Sequence, residues 1–239
     1  MELDFNFELK FIMVGDSLVG KSQLLFQYKN GYCNDQPLLT IGVEYLTKYI
    51  KINNIIFRIQ IWDTNGSEYF RQITRRYSKN AACILVIYDI SKRDSFNNAS
   101  SWIEDFRNQA HKTALFVLVG NKNDLNFERN VSYEEGRDLA EKYNIMFFET
   151  SAKNGNNVNE IFLNSSKKIY ERIEQGYYDL NYKSCGVKLG KKPSENDRRN
   201  DRNKQKLESV NNLDSKDINL NKDKNFANKF IYLSKYLNF

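Results

Sequence analysis

Residues 8–175 alternate between short apolar runs and stretches with helical spacing. Leu9–Val14, apolar except at Lys10, predicts a first buried strand, and the residues from Gln23 to about Asn30 predict a helix. Val43–Lys51 and Ile55–Trp62 alternate polar and apolar positions around Asn53-Asn54, the signature of a hairpin. Ala81–Tyr88 and Leu115–Val119 are uninterrupted apolar runs, as in strands covered on both faces of a parallel sheet. Ile145–Phe148 predicts the last strand, and helical patterns fall at about 93–110, 132–143 and 157–174. Strands alternating with helices imply an α/β fold: a six-stranded, mostly parallel sheet with helices on both faces. Ligands of such sheets lie at the carboxyl ends of the strands.

The pattern stops near Gly190. Asn, Lys, Asp and Arg dominate Lys191–Asn225, which predicts disorder. Phe226, Phe230, Leu233 and Leu237 then recur on one face of a possible amphipathic helix. The expected organisation is a short lead (1–8), one domain (9–176), a hypervariable, largely disordered stretch (177–225) and a terminal helix (226–239).

Composition narrows the class. An apolar share of 41% supports a core, and 14% aromatic residues argue against disorder throughout. No stretch nears the roughly 18 apolar residues of a membrane span. Met1-Glu2-Leu3-Asp4 lacks the basic and apolar regions of a signal peptide. Cys33, Cys83 and Cys185 have no metal-ligand spacing, so a reduced, cytoplasmic protein without disulfides or zinc is expected. Of the net charge of +6, five charges fall after Gly190, where twelve Lys and Arg face seven Asp and Glu. A basic nucleic-acid groove in the domain is therefore not expected, whereas the tail suits an acidic membrane surface.

The chemistry centres on Gly15-Asp16-Ser17-Leu18-Val19-Gly20-Lys21-Ser22, between the first strand and the first helix. In that context G-x-x-x-x-G-K-[ST] is a phosphate cradle. Backbone N–H groups of Ser17, Leu18, Val19, Gly20 and the helix start, including Gln23, face phosphate oxygens. Lys21 reaches the β- and γ-phosphates and Ser22 ligates Mg²⁺. Asp63-Thr64-Asn65-Gly66 follows the third strand, where Asp63 can hold Mg²⁺ and the Gly66 N–H can touch the γ-phosphate. Asn121-Lys122-Asn123-Asp124 follows the fifth strand, and the Asp124 carboxylate can accept two N–H donors that guanine has and adenine lacks. Ser151-Ala152-Lys153 follows the sixth, where N–H groups can meet the guanine oxygen. Each of the last three segments is alone a simple loop. His111, the only histidine, reads as a loop residue, and Glu134, Glu135 and Asp138 as the solvated start of a helix.

Together and in this order, the four segments resemble the small GTPases of the Ras superfamily. Thr40-Ile41-Gly42-Val43-Glu44-Tyr45, Ile61-Trp62-Asp63-Thr64 and Glu149-Thr150-Ser151-Ala152-Lys153 resemble the Rab family. Tyr170–Gly176 and Gly186–Gly190 look most like the Rabs acting between endoplasmic reticulum and Golgi. The resemblance implies a P-loop G domain binding GTP or GDP with Mg²⁺ held by Ser22, Thr40 and Asp63. Thr40 would be the first-switch residue on the γ-phosphate and Gly66 the anchor of the second switch. Ile41, Gly42, Val43, Glu44 and the aromatic trio Tyr45, Trp62 and Tyr77 would face effectors. Exchange factors, GTPase-activating proteins and a role in vesicle traffic are also implied.

The chain departs from the family pattern at several positions. Ser67 stands where the catalytic glutamine should orient water, and Asn65 replaces a small alanine and is expected to crowd the γ-phosphate. Slow intrinsic hydrolysis is the expectation, and a GTP-locked scaffold that recruits effectors without useful turnover is the alternative. A P-loop ATPase or kinase, which would show no guanine preference, is a third class. Leu18 occupies a loop position where a positive φ would strain it. Cys33 replaces the aromatic ring that flanks guanine, with Tyr32 as a candidate substitute, and faster nucleotide release is expected if Tyr32 does not fill the role. The chain ends Lys235-Tyr236-Leu237-Asn238-Phe239, without the usual prenylated cysteines. The basic tail and the 226–237 stripe could serve as a membrane attachment, against the competing reading of a disordered extension.

Overall fold

The apolar runs become strands of one sheet in the computed structural model, which describes residues 4–33, 40, 43–67, 71–180 and 185–190. The elements are β1 (Phe7–Val14), α1 (Lys21–Asn30), β2 (Val43–Ile52), β3 (Ile55–Thr64), α2 (Arg71–Ser78) and β4 (Cys83–Asp89). They continue with α3 (Arg93–Arg107), β5 (Leu115–Asn121), α4 (Tyr133–Lys142), β6 (Met146–Glu149), α5 (Val158–Glu174) and β7 (Val187–Leu189). The strand order is β2-β3-β1-β4-β5-β6, with β7 on β1. β2 and β3 form the antiparallel hairpin, with Ile52 opposite Ile55 and Asn53 in the left-handed turn conformation that asparagine tolerates. The pairs β1/β3, β1/β4, β4/β5 and β5/β6 are parallel.

Strand pleating sends alternate side chains to opposite faces. Phe11, Met13, Leu85, Ile87, Val117 and Val119 pack on one face with Leu24 and Tyr28 of α1 and Phe162 and Ile169 of α5. Ile12, Val14, Ile84, Val86, Phe116 and Leu118 pack on the other with Trp102, Ile103 and Phe106 of α3 and Ala140 of α4. All seven residues of β4 are buried, which its unbroken apolar run required. Ser95, Ala99, Trp102, Ile103 and Phe106 make the inward stripe of α3 at helical spacing. Ser132 and Glu135 cap α4 reciprocally, so Glu135 has a structural role at the helix start.

Two elements go beyond the prediction. α2 was not foreseen because Arg71–Ser78 carries no continuous apolar stripe; Thr74 and Ser78 are buried four residues apart and Tyr77 is half-buried. The sheet has seven strands rather than six, and the seventh comes from the stretch expected to be largely disordered. β7 lies antiparallel to the start of β1, with Leu189 opposite Phe7 and Val187 opposite Leu9. It fits there because β4 begins only at Cys83, opposite Phe11, leaving the first part of β1 open on that side. The Gly190 N–H donates to the Asn6 carbonyl at 2.8 Å. Lys188 Nζ donates to Glu8 Oε1 at 2.8 Å, and Arg58 Nε donates to Glu8 Oε2 at 2.7 Å. Burial alone would raise the Glu8 carboxyl, but the hydrogen bonds from Lys188 and Arg58 outweigh it and hold it below its ordinary value. Tyr178 is buried as well, its hydroxyl donating to the Thr113 carbonyl at 3.1 Å. The expected helix over 226–239 and the stretch 191–225 lie outside the described residues. Among the described residues, no helix is long and apolar enough to cross a membrane.

Candidate functional site

The loop from Gly15 to Gly20 leaves the carboxyl end of β1 and leads into α1. Gly20 takes φ 96°, and a Cβ there would run into the Asn121 side chain, so only glycine closes this turn. Leu18 takes φ 66° and is 58% exposed, so the conflict foreseen at this position is present; left-handed backbone costs a non-glycine residue about 1–2 kcal/mol. Lys21 is buried, and its ammonium folds back over the loop, donating to the carbonyls of Gly15 at 3.0 Å and Asp16 at 2.7 Å. Burial brings it down to about 8, against the opposing pull of Asp63 and Asp16. Leu24 N–H makes the first bond of α1, to the Gly20 carbonyl, so the amides before it stay available at the helix start.

Three hard oxygen donors meet beside Lys21. Ser22 Oγ donates to Asp63 Oδ2 at 2.5 Å, Thr40 Oγ1 donates to the same oxygen at 3.1 Å, and the two hydroxyls lie 2.5 Å apart. Asp63 is fully buried, and its Oδ1 has no hydrogen-bond partner among the described residues. Burial raises this carboxyl above its ordinary value, although Ser22, Lys21 and Thr40 pull it down. An orphaned buried carboxylate oxygen beside two hydroxyls suits a hard divalent cation such as Mg²⁺. Gly66 closes the cradle: a Cβ there would collide with Lys21 Nζ and the Asp16 carbonyl.

The base-side segments are tied to the same loop. Asn121 Nδ2 donates to the Val19 carbonyl at 2.9 Å, while Asn121 Oδ1 accepts from Thr150 Oγ1 at 3.2 Å and the Ala152 N–H at 3.3 Å. Lys122 Nζ donates to the Leu18 carbonyl at 2.9 Å and pairs with Asp89 Oδ2 at 2.7 Å. Asp124 Oδ1 accepts from Ser151 Oγ at 2.5 Å, and that hydroxyl oxygen in turn accepts from the Lys153 N–H at 3.1 Å. Ser17 and Lys153 are exposed at the rim. The four segments thus converge at the carboxyl edge of the sheet.

Other neighbours were not legible from motif spacing. Asp16 Oδ1 accepts from Trp102 Nε1 at 2.7 Å and its Oδ2 from Asn98 Nδ2 at 2.8 Å, which pins the loop to α3. Asn65 does not turn its side chain toward the phosphate side as expected: Nδ2 donates to the Thr40 carbonyl at 2.9 Å, and Oδ1 accepts from the Ser67 N–H at 2.8 Å. The Tyr32 ring packs edge-on against Phe26 of α1, with centroids 5.4 Å apart. Cys33 Sγ donates to Gln23 Oε1 at 3.5 Å. His111 faces Thr113 Oγ1 at 2.7 Å, apart from these groups.

On the β2–β3 side, Tyr45 stacks on Trp62 with ring centres 5.5 Å apart, and Trp62 meets Tyr77 at a tilt with centres 5.2 Å apart. Lys10 Nζ sits 4.5 Å from the centre of the Trp62 ring. Tyr45 is 64% exposed and Glu44 is exposed beside it, while Val43 pairs with Thr64. Ile41 and Gly42 lie outside the described residues.

The order of the strands, the loop around Lys21 and the carboxyl-edge segments agree with comparison to known families. The Ras family model matches residues 10–171, from β1 into α5 and more than half of the chain. The chain therefore belongs to the Ras family of small GTPases, with the GTP-binding switch domain that defines them.

Proposed function

We propose that the protein is a Rab-type GTP/GDP switch of intracellular vesicle traffic whose intrinsic hydrolysis is slow. The observation that carries the nucleotide chemistry is the Ser22–Thr40–Asp63 cluster, with its orphaned carboxylate oxygen, next to the buried Lys21 ammonium. Lys21 exchanges its carbonyl partners for phosphate oxygens, and the amides at the start of α1 add further donors. Ser22, Thr40 and Asp63 would hold Mg²⁺, which when bound would supply positive charge against the phosphate oxygens. Asp124 accepts the two guanine N–H groups; adenine would leave that carboxylate unpaired, at a cost of about 1–3 kcal/mol. Thr40 and Gly66 report the γ-phosphate to their loops, so the nucleotide determines which surface partners meet.

Ser67 supports slow turnover. Its hydroxyl is too short to orient an attacking water in the way a glutamine amide does, and its N–H is already engaged by Asn65. The test is single-turnover phosphate release from GTP by the wild type and Ser67→Gln. At least a tenfold gain in the variant is expected, and equal rates would overturn the reading. The GTP-locked scaffold is the second reading, favoured by the same serine, and no measurable release from the wild type would select it. Exchange factors and GTPase-activating proteins act on small GTPases generally, and the Tyr45–Trp62–Tyr77 row, with Tyr45 exposed at its end, supports effector binding of the Rab kind. The site of action in this proposal is the cytoplasmic face of Golgi-related membranes. The basic stretch after Gly190 would supply the attachment, which liposome flotation of the full chain against a chain ending at Gly190 would test.

A further inference from the structure

We propose that Asn65 is a positioning residue that latches the two nucleotide-responsive loops to each other, an inference that rests on the switch reading above. Its backbone is rigidly rooted. Thr64, the residue before it, ends β3, is buried, pairs with Val43 and donates its hydroxyl to the Met13 carbonyl at 2.7 Å. From that base the carboxamide reaches in two directions. Nδ2 donates to the carbonyl of Thr40, 25 residues earlier, at 2.9 Å, and Oδ1 accepts from the N–H of Ser67, two residues later, at 2.8 Å.

Thr40 is consequently held on two sides, by its hydroxyl at Ser22 and Asp63 and by its carbonyl at Asn65. Any departure of Thr40 from this position must break the bond that Asn65 makes to it, and the same amide fixes the direction of the Ser67 N–H. The task demands a donor and an acceptor on one short arm. Asparagine has both, aspartate only accepts when ionised, and alanine has neither. The bond to Ser67 alone is a local turn of a kind asparagine makes readily. The bond to Thr40 is what converts that turn into a coupling between two segments of the chain.

The test uses hydrogen–deuterium exchange on the full chain with Mg²⁺ and either GDP or a non-hydrolysable GTP analogue. Wild type, Asn65→Ala and Asn65→Asp are compared in the peptides containing Thr40 and Ser67. Loss of one net hydrogen bond corresponds to about two- to tenfold faster opening. Asn65→Ala is expected to speed exchange by that factor in both peptides. Asn65→Asp retains the acceptor and is expected to speed it only in the peptide containing Thr40. Faster exchange confined to the Ser67 peptide in Asn65→Ala, or no change in either peptide, would overturn the latch. Guanine nucleotide retained by the wild type is quantified in the same samples. Its absence defeats the switch reading, whereas the exchange comparison judges the latch separately.

Discussion

Truncating Val187 to alanine tests whether β7 belongs to the cooperative fold. Val187 is 1% exposed, lies opposite Leu9 and joins the cluster containing Phe7, Leu9 and Phe11. Removing its two methyl groups forfeits about 1.6 kcal/mol of transfer free energy, at about 0.8 kcal/mol per carbon. The cavity left behind adds to this and brings the expected loss to about 2 kcal/mol. Lys188 is the control on the neighbouring residue. Its side chain is 57% exposed, so its 2.8 Å pair with Glu8 is heavily screened, and Lys188→Ala should cost less than about 1 kcal/mol. The assay is equilibrium urea unfolding followed by circular dichroism, at one fixed concentration of GDP and Mg²⁺ because bound ligand adds to apparent stability. A Val187→Ala variant within about 0.5 kcal/mol of wild type, the range of an ordinary surface change, would refute the docked strand.

Three further outcomes follow from the geometry. Trp102→Phe deletes the indole donor to the Asp16 carboxylate, a bond to a charged group worth about 1.5–3 kcal/mol, so release of a fluorescent GDP in stopped flow should speed up about ten- to a hundredfold. Chelating Mg²⁺ should also speed that release in the wild type, and Asp63→Asn should release at the fast rate with or without chelator. The Glu8 carboxyl is held below its ordinary value in the folded chain, so its contribution is complete above the unfolded value of about 4.3 and is lost as pH falls through the folded one. The melting-temperature gap between wild type and Glu8→Gln should therefore be widest near neutral pH and close in acid.

β4 and β5 were legible because a strand buried on both faces must be apolar along its length, as Cys83–Asp89 very nearly is, and β2 and β3 because a strand covered on one face alternates polar and apolar residues. The phosphate loop was legible for a related reason: a backbone cradle needs glycine at fixed offsets and a lysine at the helix start. α2 and β7 escaped because neither carries enough pattern of its own. Arg71–Ser78 is a polar, arginine-rich helix held by a few inward residues, and Val187–Leu189 is a three-residue strand created by a gap beside β1. The partners of Asp16 were invisible because Trp102 stands 86 residues away and meets it only through the register of α3. Asn65 stands out in the sequence because it replaces a small alanine, but the direction of its side chain depends on where Thr40 sits. That is tertiary information.

The bond between the Gly190 amide and the Asn6 carbonyl makes the polypeptide path of the fold nearly a closed ring. A short linker joining those two points, with new ends opened in an exposed turn such as Asn53-Asn54, would keep every strand pairing and yield a circular permutant. The junction also lies at the opposite pole from the phosphate loop, since the eight residues of β1 between them span roughly 25 Å. A load applied through Gly190 would therefore act on the far end of the sheet, away from the nucleotide face.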